Sequence, residues 1–243
     1  MRSNLNAFAL LPVMLLMANT PSPLTGNTVN AKSGFTTMLR TAKVEIADHY
    51  AEWNLTLAGL SKEAFNYAIK GYHYLLEKNM LHNTSVITIV DYSKPSSQKR
   101  LYVLDMNEGK ILFQTLVAHG RNSGYIYAKD FSNAASSLKT SLGFYITANT
   151  YNGNNGYSLK LQGCERGIND KAMERAIVMH GADYATEDFL QHNGYLGRSH
   201  GCPAVPEQLS KKIIDVIKNG SCMFLYYPAK KYTSNSKILN SQA

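Results

Sequence analysis

A single tryptophan and three cysteines in 243 residues set the first limits on this chain. So little cysteine excludes a disulfide-stapled scaffold, and the odd number leaves at least one thiol free or bonded to another molecule. Acidic residues are scarce as well: 17 Asp and Glu against 25 Lys and Arg give a net charge of +8. The cations are scattered, with Lys211-Lys212 and Lys230-Lys231 as pairs and no arginine-rich run or recognition-helix pattern. Nucleic acid is therefore not an expected partner, and an anionic polymer fits the charge better. No H-x-x-x-H or H-x-x-E-H spacing is present, so no metal site is expected. There is no internal repeat.

Long apolar runs are missing outside the N-terminus. There, Arg2 precedes the uncharged stretch from Ala7 to Ala18, which is too short for the roughly 20 residues a spanning helix needs. Polar and small residues follow at Asn19 to Ser22. This profile predicts a signal peptide over residues 1–20, with cleavage near Ala18 or Thr20. The expected location is outside the cytoplasm, in the periplasm or cell envelope, with membrane contact only through this segment if it stays uncleaved. No cysteine lies close enough to accept a lipid.

What is present suits one core. The composition is 44% hydrophobic, with sixteen tyrosines that point to strands with amphipathic outer faces. Residues 21–84 read as a flexible leader followed by a helical extension. Its helix spans about 61–81, capped by Ser61 and patterned by Ala64, Phe65, Ala68, Tyr72, Leu75 and Leu76, and packs on the main domain. From Ser85 the period changes. Strands are expected at 86–92, 101–105, 111–117, 144–148, 176–179 and 222–227, with Asn107-Glu108-Gly109 as a hairpin loop. A helix is expected over 206–219, closed by Gly220. The predicted fold is mainly β with flanking helices, over residues 85–228, and residues 229–243 form a loose polar tail.

The chemistry concentrates in two segments, Met179-His180-Gly181-Ala182 and Gly197-Arg198-Ser199-His200-Gly201-Cys202-Pro203. A thiol becomes an effective nucleophile when a base or positive charge lies beside it. Gly201 leaves room for a substrate backbone, and Pro203 stiffens the turn after the thiol. Cys202 is thus the candidate nucleophile. His180 is the candidate base, with His200 as the alternative, and the choice between them stays open. Arg198 is a candidate for carboxylate recognition, and Ser199 for orienting the loop. The N–H groups of Gly201 and Cys202 are candidate oxyanion donors. Gly181 would allow close packing, Tyr184 could flank substrate, and His119 reads as structural support. Cys164 and Cys222 could pair, but their apolar surroundings suit two free, buried thiols better.

Across residues 99–227 the chain resembles the YkuD-type L,D-transpeptidase catalytic domain, in the branch reading G-R-S-x-G-C-P-A-V. The matching pieces are Arg100 to Val103, Val117 to Gly120, Ser141 to Tyr145, Ser158 to Gly163, Arg175 to Ala182, and Gly197 to Val205. The resemblance implies a mixed β-sandwich-like sheet with its active site in a cleft, and no metal or organic cofactor. It implies peptidoglycan stem peptides as partners. Cys202 would attack a tetrapeptide stem, release D-alanine and pass the acyl group to an amine, or to water as an L,D-carboxypeptidase. The chain departs from the better-known branch, where a branched residue and arginine follow the cysteine, by having Pro203-Ala204. It departs from its own branch by having His200 where an aromatic is common.

Other classes fit less well. A zinc peptidase using His180 and His200 lacks the helical ligand spacing. Papain-like wall endopeptidases place cysteine before histidine, and sortases place an arginine after the cysteine. A non-catalytic wall-binding protein would keep the fold but form no acyl-enzyme.

Overall fold

The computed structural model describes residues 49–241. The expected signal peptide and most of the leader lie outside those residues. After a short helical stretch at residues 49–52, helix α1 spans Lys62–Glu77. Ser61 caps it as the sequence suggests, its hydroxyl accepting the Ala64 N–H at 3.2 Å. The predicted run to residue 81 stops short because Asn79 turns left-handed, at φ 53. One face of α1 buries Ala64, Phe65, Ala68, Tyr72 and Leu75. Phe65 and Leu75 are fully buried, and each contributes about 1.5–3 kcal/mol by leaving water. Gly71 lets the helix approach so closely that a β-carbon there would overlap the Phe144 ring.

Eight strands form one sheet: β1 Val86–Asp91, β2 Leu101–Asp105, β3 Lys110–Thr115, β4 Gly143–Gly153, β5 Gly156–Gly163, β6 Val178–Ala182, β7 Ala204–Pro206 and β8 Cys222–Tyr226. Their spatial order is β3-β2-β1-β8-β4-β5-β6-β7. The β1–β8 and β6–β7 pairs are parallel and the others antiparallel. The chain after β3 then reaches across to the opposite edge. Ala118 bridges Ala204, with its N–H on the Ala204 carbonyl at 2.8 Å, and Gly120 bridges Ser199. The sheet thus nearly closes on itself through the segment after β3. The expectation of a mainly β fold with flanking helices holds.

Two strands went unread in the sequence. The β5 strand alternates polar and apolar residues through Ser158-Leu159-Lys160-Leu161, and it follows β4 through the two-residue turn Asn154-Asn155, with Gly153 facing Gly156. Gly156 sits at φ 68, which such a turn favours in glycine. The β7 strand has three residues, too few for any periodicity. Helix α2, Glu187–Asn193, is capped by Thr186, whose hydroxyl accepts the Phe189 N–H at 3.2 Å. Helix α3, Glu207–Ile217, starts directly after Pro206.

The C-terminal segment differs from the loose tail expected. Lys230–Asn235 form helix α4, and Tyr232, Ile238 and Leu239 are buried in the main core. The physical reason is a buried carboxylate. Glu165 accepts hydrogen bonds from the Phe144 N–H at 2.8 Å, from the Tyr232 hydroxyl at 3.1 Å and from Ser236. Among the described residues no helix is long and apolar enough to cross a membrane.

Candidate active site

His180 sits in the middle of β6, flanked by Ser158 of β5 and Ala204 of β7. Its Nδ1 lies 2.8 Å from the Gly181 carbonyl. A carbonyl can only accept, so Nδ1 carries the proton and Nε2 keeps its lone pair. Burial holds the imidazole below its ordinary pKa, partly offset by that hydrogen bond. His180 is therefore neutral at neutral pH, the form a base requires. Gly181 is small for a second reason: a β-carbon there would sit 2.7 Å from the Ser210 hydroxyl of α3.

Cys202 lies two residues before Ala204, the residue that faces His180 across the parallel pair. It is 9% exposed and is not in a disulfide. Cys164 and Cys222 are likewise free, as the sequence favoured. The loop that carries Cys202 is tied internally by Ser199, whose hydroxyl donates to the Cys202 carbonyl at 2.7 Å and accepts the Gly201 N–H at 3.0 Å. Ser199 thus orients the loop. This geometry corrects one expectation: the Gly201 N–H is committed to Ser199 and cannot serve an oxyanion, which leaves the Cys202 N–H from the original pair. Gly201 itself has φ 126, a conformation other residues rarely adopt.

The loop is also held from the other edge of the sheet. The Ser199 N–H donates to the His119 carbonyl at 3.0 Å, and the Arg121 N–H to the Ser199 carbonyl at 2.8 Å. His119 is fixed in turn by Arg100, which is fully buried and donates from Nη2 to His119 Nδ1 at 2.8 Å. The other ring nitrogen of His119 donates to the Gly124 carbonyl at 3.2 Å. Burial, with the Arg100 charge beside it, pushes His119 down to about 3, so it is a neutral brace. That matches its reading as structural support.

The segment before β6 surrounds the sulfur. The Val178 N–H donates to Cys202 Sγ at 3.5 Å, and the thiol faces the Ala176 carbonyl at 3.8 Å. Ala176 takes φ 51, a left-handed conformation that costs a residue with a β-carbon about 1–2 kcal/mol. Burial raises the Cys202 thiol above its usual pKa, while the Val178 N–H and the charge of Arg175 pull it down. Arg175 was not singled out in the sequence, although it begins one of the matching segments. A cation just before an apolar strand was the available signal.

The remaining candidates separate. Tyr184 is half-buried and packs against Gly197, where a β-carbon would overlap it. Burial, reinforced by Cys202, pushes its phenol up to about 12. Arg198 is exposed, its guanidinium 4.9 Å from the Tyr125 ring centre. His200 is exposed, and none of the hydrogen bonds around Cys202 runs to it. Among the described residues no group of three or more His, Cys, Asp or Glu could hold a metal. Two cavities, of about 260 and 560 Å³, are lined by none of these residues.

A family model described as the L,D-transpeptidase catalytic domain matches residues 56–226. No curated protein matches. Solved structures similar in fold include an L,D-transpeptidase from Mycobacterium smegmatis, 13% identical over 59% of each chain at a TM-score of 0.37. A helical cell shape determining protein from Campylobacter jejuni is 17% identical over 70% of this chain and 59% of its own, at 0.40. An L,D-transpeptidase from Stackebrandtia nassauensis is 16% identical over 68% and 67%, at 0.37. The chain spans 59% of the length of the first two solved chains it matches. Likenesses at these scores carry no functional argument. The family match, spanning well over half of the chain and enclosing both His180 and Cys202, does: this protein belongs to the L,D-transpeptidase catalytic-domain family.

Proposed function

We propose that the protein is a cysteine-dependent L,D-transpeptidase acting on tetrapeptide stems of peptidoglycan. The observation that carries this reading is an unbridged, loop-held Cys202 two residues before Ala204, the strand partner of a neutral His180 whose tautomer Gly181 fixes. The thiol exchanges the Ala176 carbonyl for His180 Nε2, a contact that catalytic pairs often tighten only with substrate present. Its proton passes to Nε2 as the sulfur attacks the carbonyl before the terminal D-alanine. The Cys202 N–H stabilises the oxyanion. Collapse breaks the C–N bond, His180 returns the proton to the departing amine, and D-alanine leaves a thioester on Cys202. An acceptor amine, losing its proton to His180, then forms the new amide and frees the thiol.

Arg198 suits a stem carboxylate, since its exposed fork offers paired donors. Tyr184 flanks the thiol side of the loop. Water in place of the amine would make the same site an L,D-carboxypeptidase. Export to the cell envelope belongs to this proposal and rests on the sequence of residues 1–20.

The test is incubation with purified tetrapeptide-stem muropeptides. Free D-alanine and cross-linked or trimmed stems are expected from the intact protein, and neither from Cys202→Ala. His180→Ala is expected to retain the fold and lose most of the rate. Activity that survives Cys202→Ala would contradict the reading, and a folded protein that binds the wall without releasing D-alanine would favour a binding module.

A further inference from the structure

Arg175 stands outside every role assigned so far, yet its surroundings are built with care. From Nη1 it donates to the Ser132 carbonyl at 2.8 Å and the Ser141 hydroxyl at 3.3 Å. From Nη2 it donates to the Lys139 carbonyl at 2.5 Å and the Ser137 hydroxyl at 3.3 Å. All four acceptors lie in the single loop between residues 132 and 141. The same loop touches the cysteine turn: Thr140 donates to the Gly201 carbonyl at 3.2 Å and accepts the Gly120 N–H at 3.0 Å.

The guanidinium also faces the turn directly. A β-carbon built on Gly201 would lie 3.2 Å from Arg175 Nη2 and 2.8 Å from the Lys139 carbonyl, so the glycine is what admits this packing. The left-handed kink at Ala176, next in sequence, turns the chain so that the Ala176 carbonyl and the Val178 N–H both reach the sulfur. A fixed cation therefore stands at one end of the segment that cradles the thiol.

We infer that Arg175 is a positioning residue that clamps the 132–141 loop against Gly201 and supplies the fixed positive charge that sustains the Cys202 thiolate. The chemistry demands such a charge. A mostly buried thiol is held in its neutral form by desolvation, and His180 is itself kept neutral by burial. The Tyr92 and Tyr184 phenols beside the thiol are both pushed up to about 12 by burial and so are uncharged at neutral pH, while Arg198 and His200 of the same turn face solvent. Arg175 keeps its charge across the working range, because no carboxylate is needed to hold it and its four acceptors satisfy it. Burial lowers the Arg175 pKa, with Tyr145 and Cys202 partly offsetting it, and its charge in turn favours the ionised sulfur against the burial that raises the thiol.

The inference rests on Cys202 being the nucleophile, and its test has a readout that does not depend on peptidoglycan. The rate of iodoacetamide alkylation of Cys202, resolved by peptide mass spectrometry from Cys164 and Cys222, is followed from about pH 5 to about pH 10 in the full chain. Arg175→Gln is expected to move the midpoint up by about one pH unit, which is about tenfold less thiolate at neutral pH. Arg175→Lys, which keeps the charge but loses the fork that fixes it, is expected to move the midpoint up by less than Arg175→Gln does. A folded Arg175→Gln with an unmoved midpoint would overturn the inference. Should that variant not fold, an unmoved midpoint in Arg175→Lys would do so. A parallel mass assay with a carbapenem separates the two claims: no adduct on the intact protein defeats the transpeptidase reading, whereas an adduct with an unmoved Arg175→Gln midpoint defeats only the role of Arg175.

Discussion

Ser199 shows how much one hydroxyl can organise. It donates to the Cys202 carbonyl and accepts from the Gly201 N–H, so one side chain closes the turn around Cys202. Ser199→Ala removes both partners at once in a buried place, where each unsatisfied group costs about 1–3 kcal/mol. The expected outcome is a loss of stability of about 2–6 kcal/mol for the two groups by denaturant unfolding, together with slower acylation of a thiol that remains present. Of the residues around the thiol, His180 and Cys202 were legible because their flanking glycines and their order along the chain are local features. The commitment of the Gly201 N–H to Ser199 was not. Which way an amide points depends on the folded turn, and the string Ser199-His200-Gly201 fits a free or a bonded N–H equally well. His200 and His180 both precede a glycine, and the fold separates them: His180 is buried in β6 with its Nδ1 bonded to the Gly181 carbonyl, whereas His200 is exposed.

Strand and helix boundaries followed the strength of their pattern. The buried run of β1 and the capped amphipathic α1 were readable from apolar spacing and Ser61. The β5 strand carries the polar–apolar alternation of a strand and was legible on that pattern though it went unread, whereas β7 was hidden by its length. Helix α4 carries Lys230-Lys231 and hydroxyl residues on its surface, and its buried anchor Tyr232 finds its partner at Glu165, far off in sequence. The crossing of α1 over the sheet is sensitive to volume. Gly71→Ala would force a methyl into the Phe144 ring, which is itself stacked on Phe224 with centroids 4.2 Å apart. A destabilisation of about 1–3 kcal/mol is expected from this overpacking, read as a lower unfolding midpoint with the thiol chemistry unchanged at temperatures where the variant stays folded.

Across the whole molecule, the near-closure of the sheet is what brings the site together. The segment after β3 and the strand β7 belong to opposite ends of the strand order, and their union places His119 under Ser199 and the cysteine turn beside β6. Nothing local in the sequence announces that closure, which is why the role of Arg100 as its buried brace was not legible. The closure also sets a pH dependence. His119 folds with its pKa depressed from 6.5 to about 3, so the unfolded chain binds the proton more readily. Its contribution to stability is present above about pH 6.5 and is lost as pH falls towards about 3. Glu165 acts in the opposite sense, because burial raises its carboxyl and the folded state takes up that proton first. Comparison with His119→Gln, which can still accept from Arg100 and donate to Gly124, isolates the histidine. The melting temperature of the variant is expected to fall less than that of the intact protein between about pH 6.5 and about pH 4. Parallel curves would contradict the assignment.

The central claim is a covalent bond between a substrate carbonyl and one sulfur. Quenching the protein in acid during turnover of a tetrapeptide-stem muropeptide, digesting it and mapping the added mass is the most direct test. The account predicts the stem, less its D-alanine, on the peptide that contains Cys202 and on no other. An adduct carried by another residue, or turnover with Cys202 unmodified and replaceable by alanine, would contradict it.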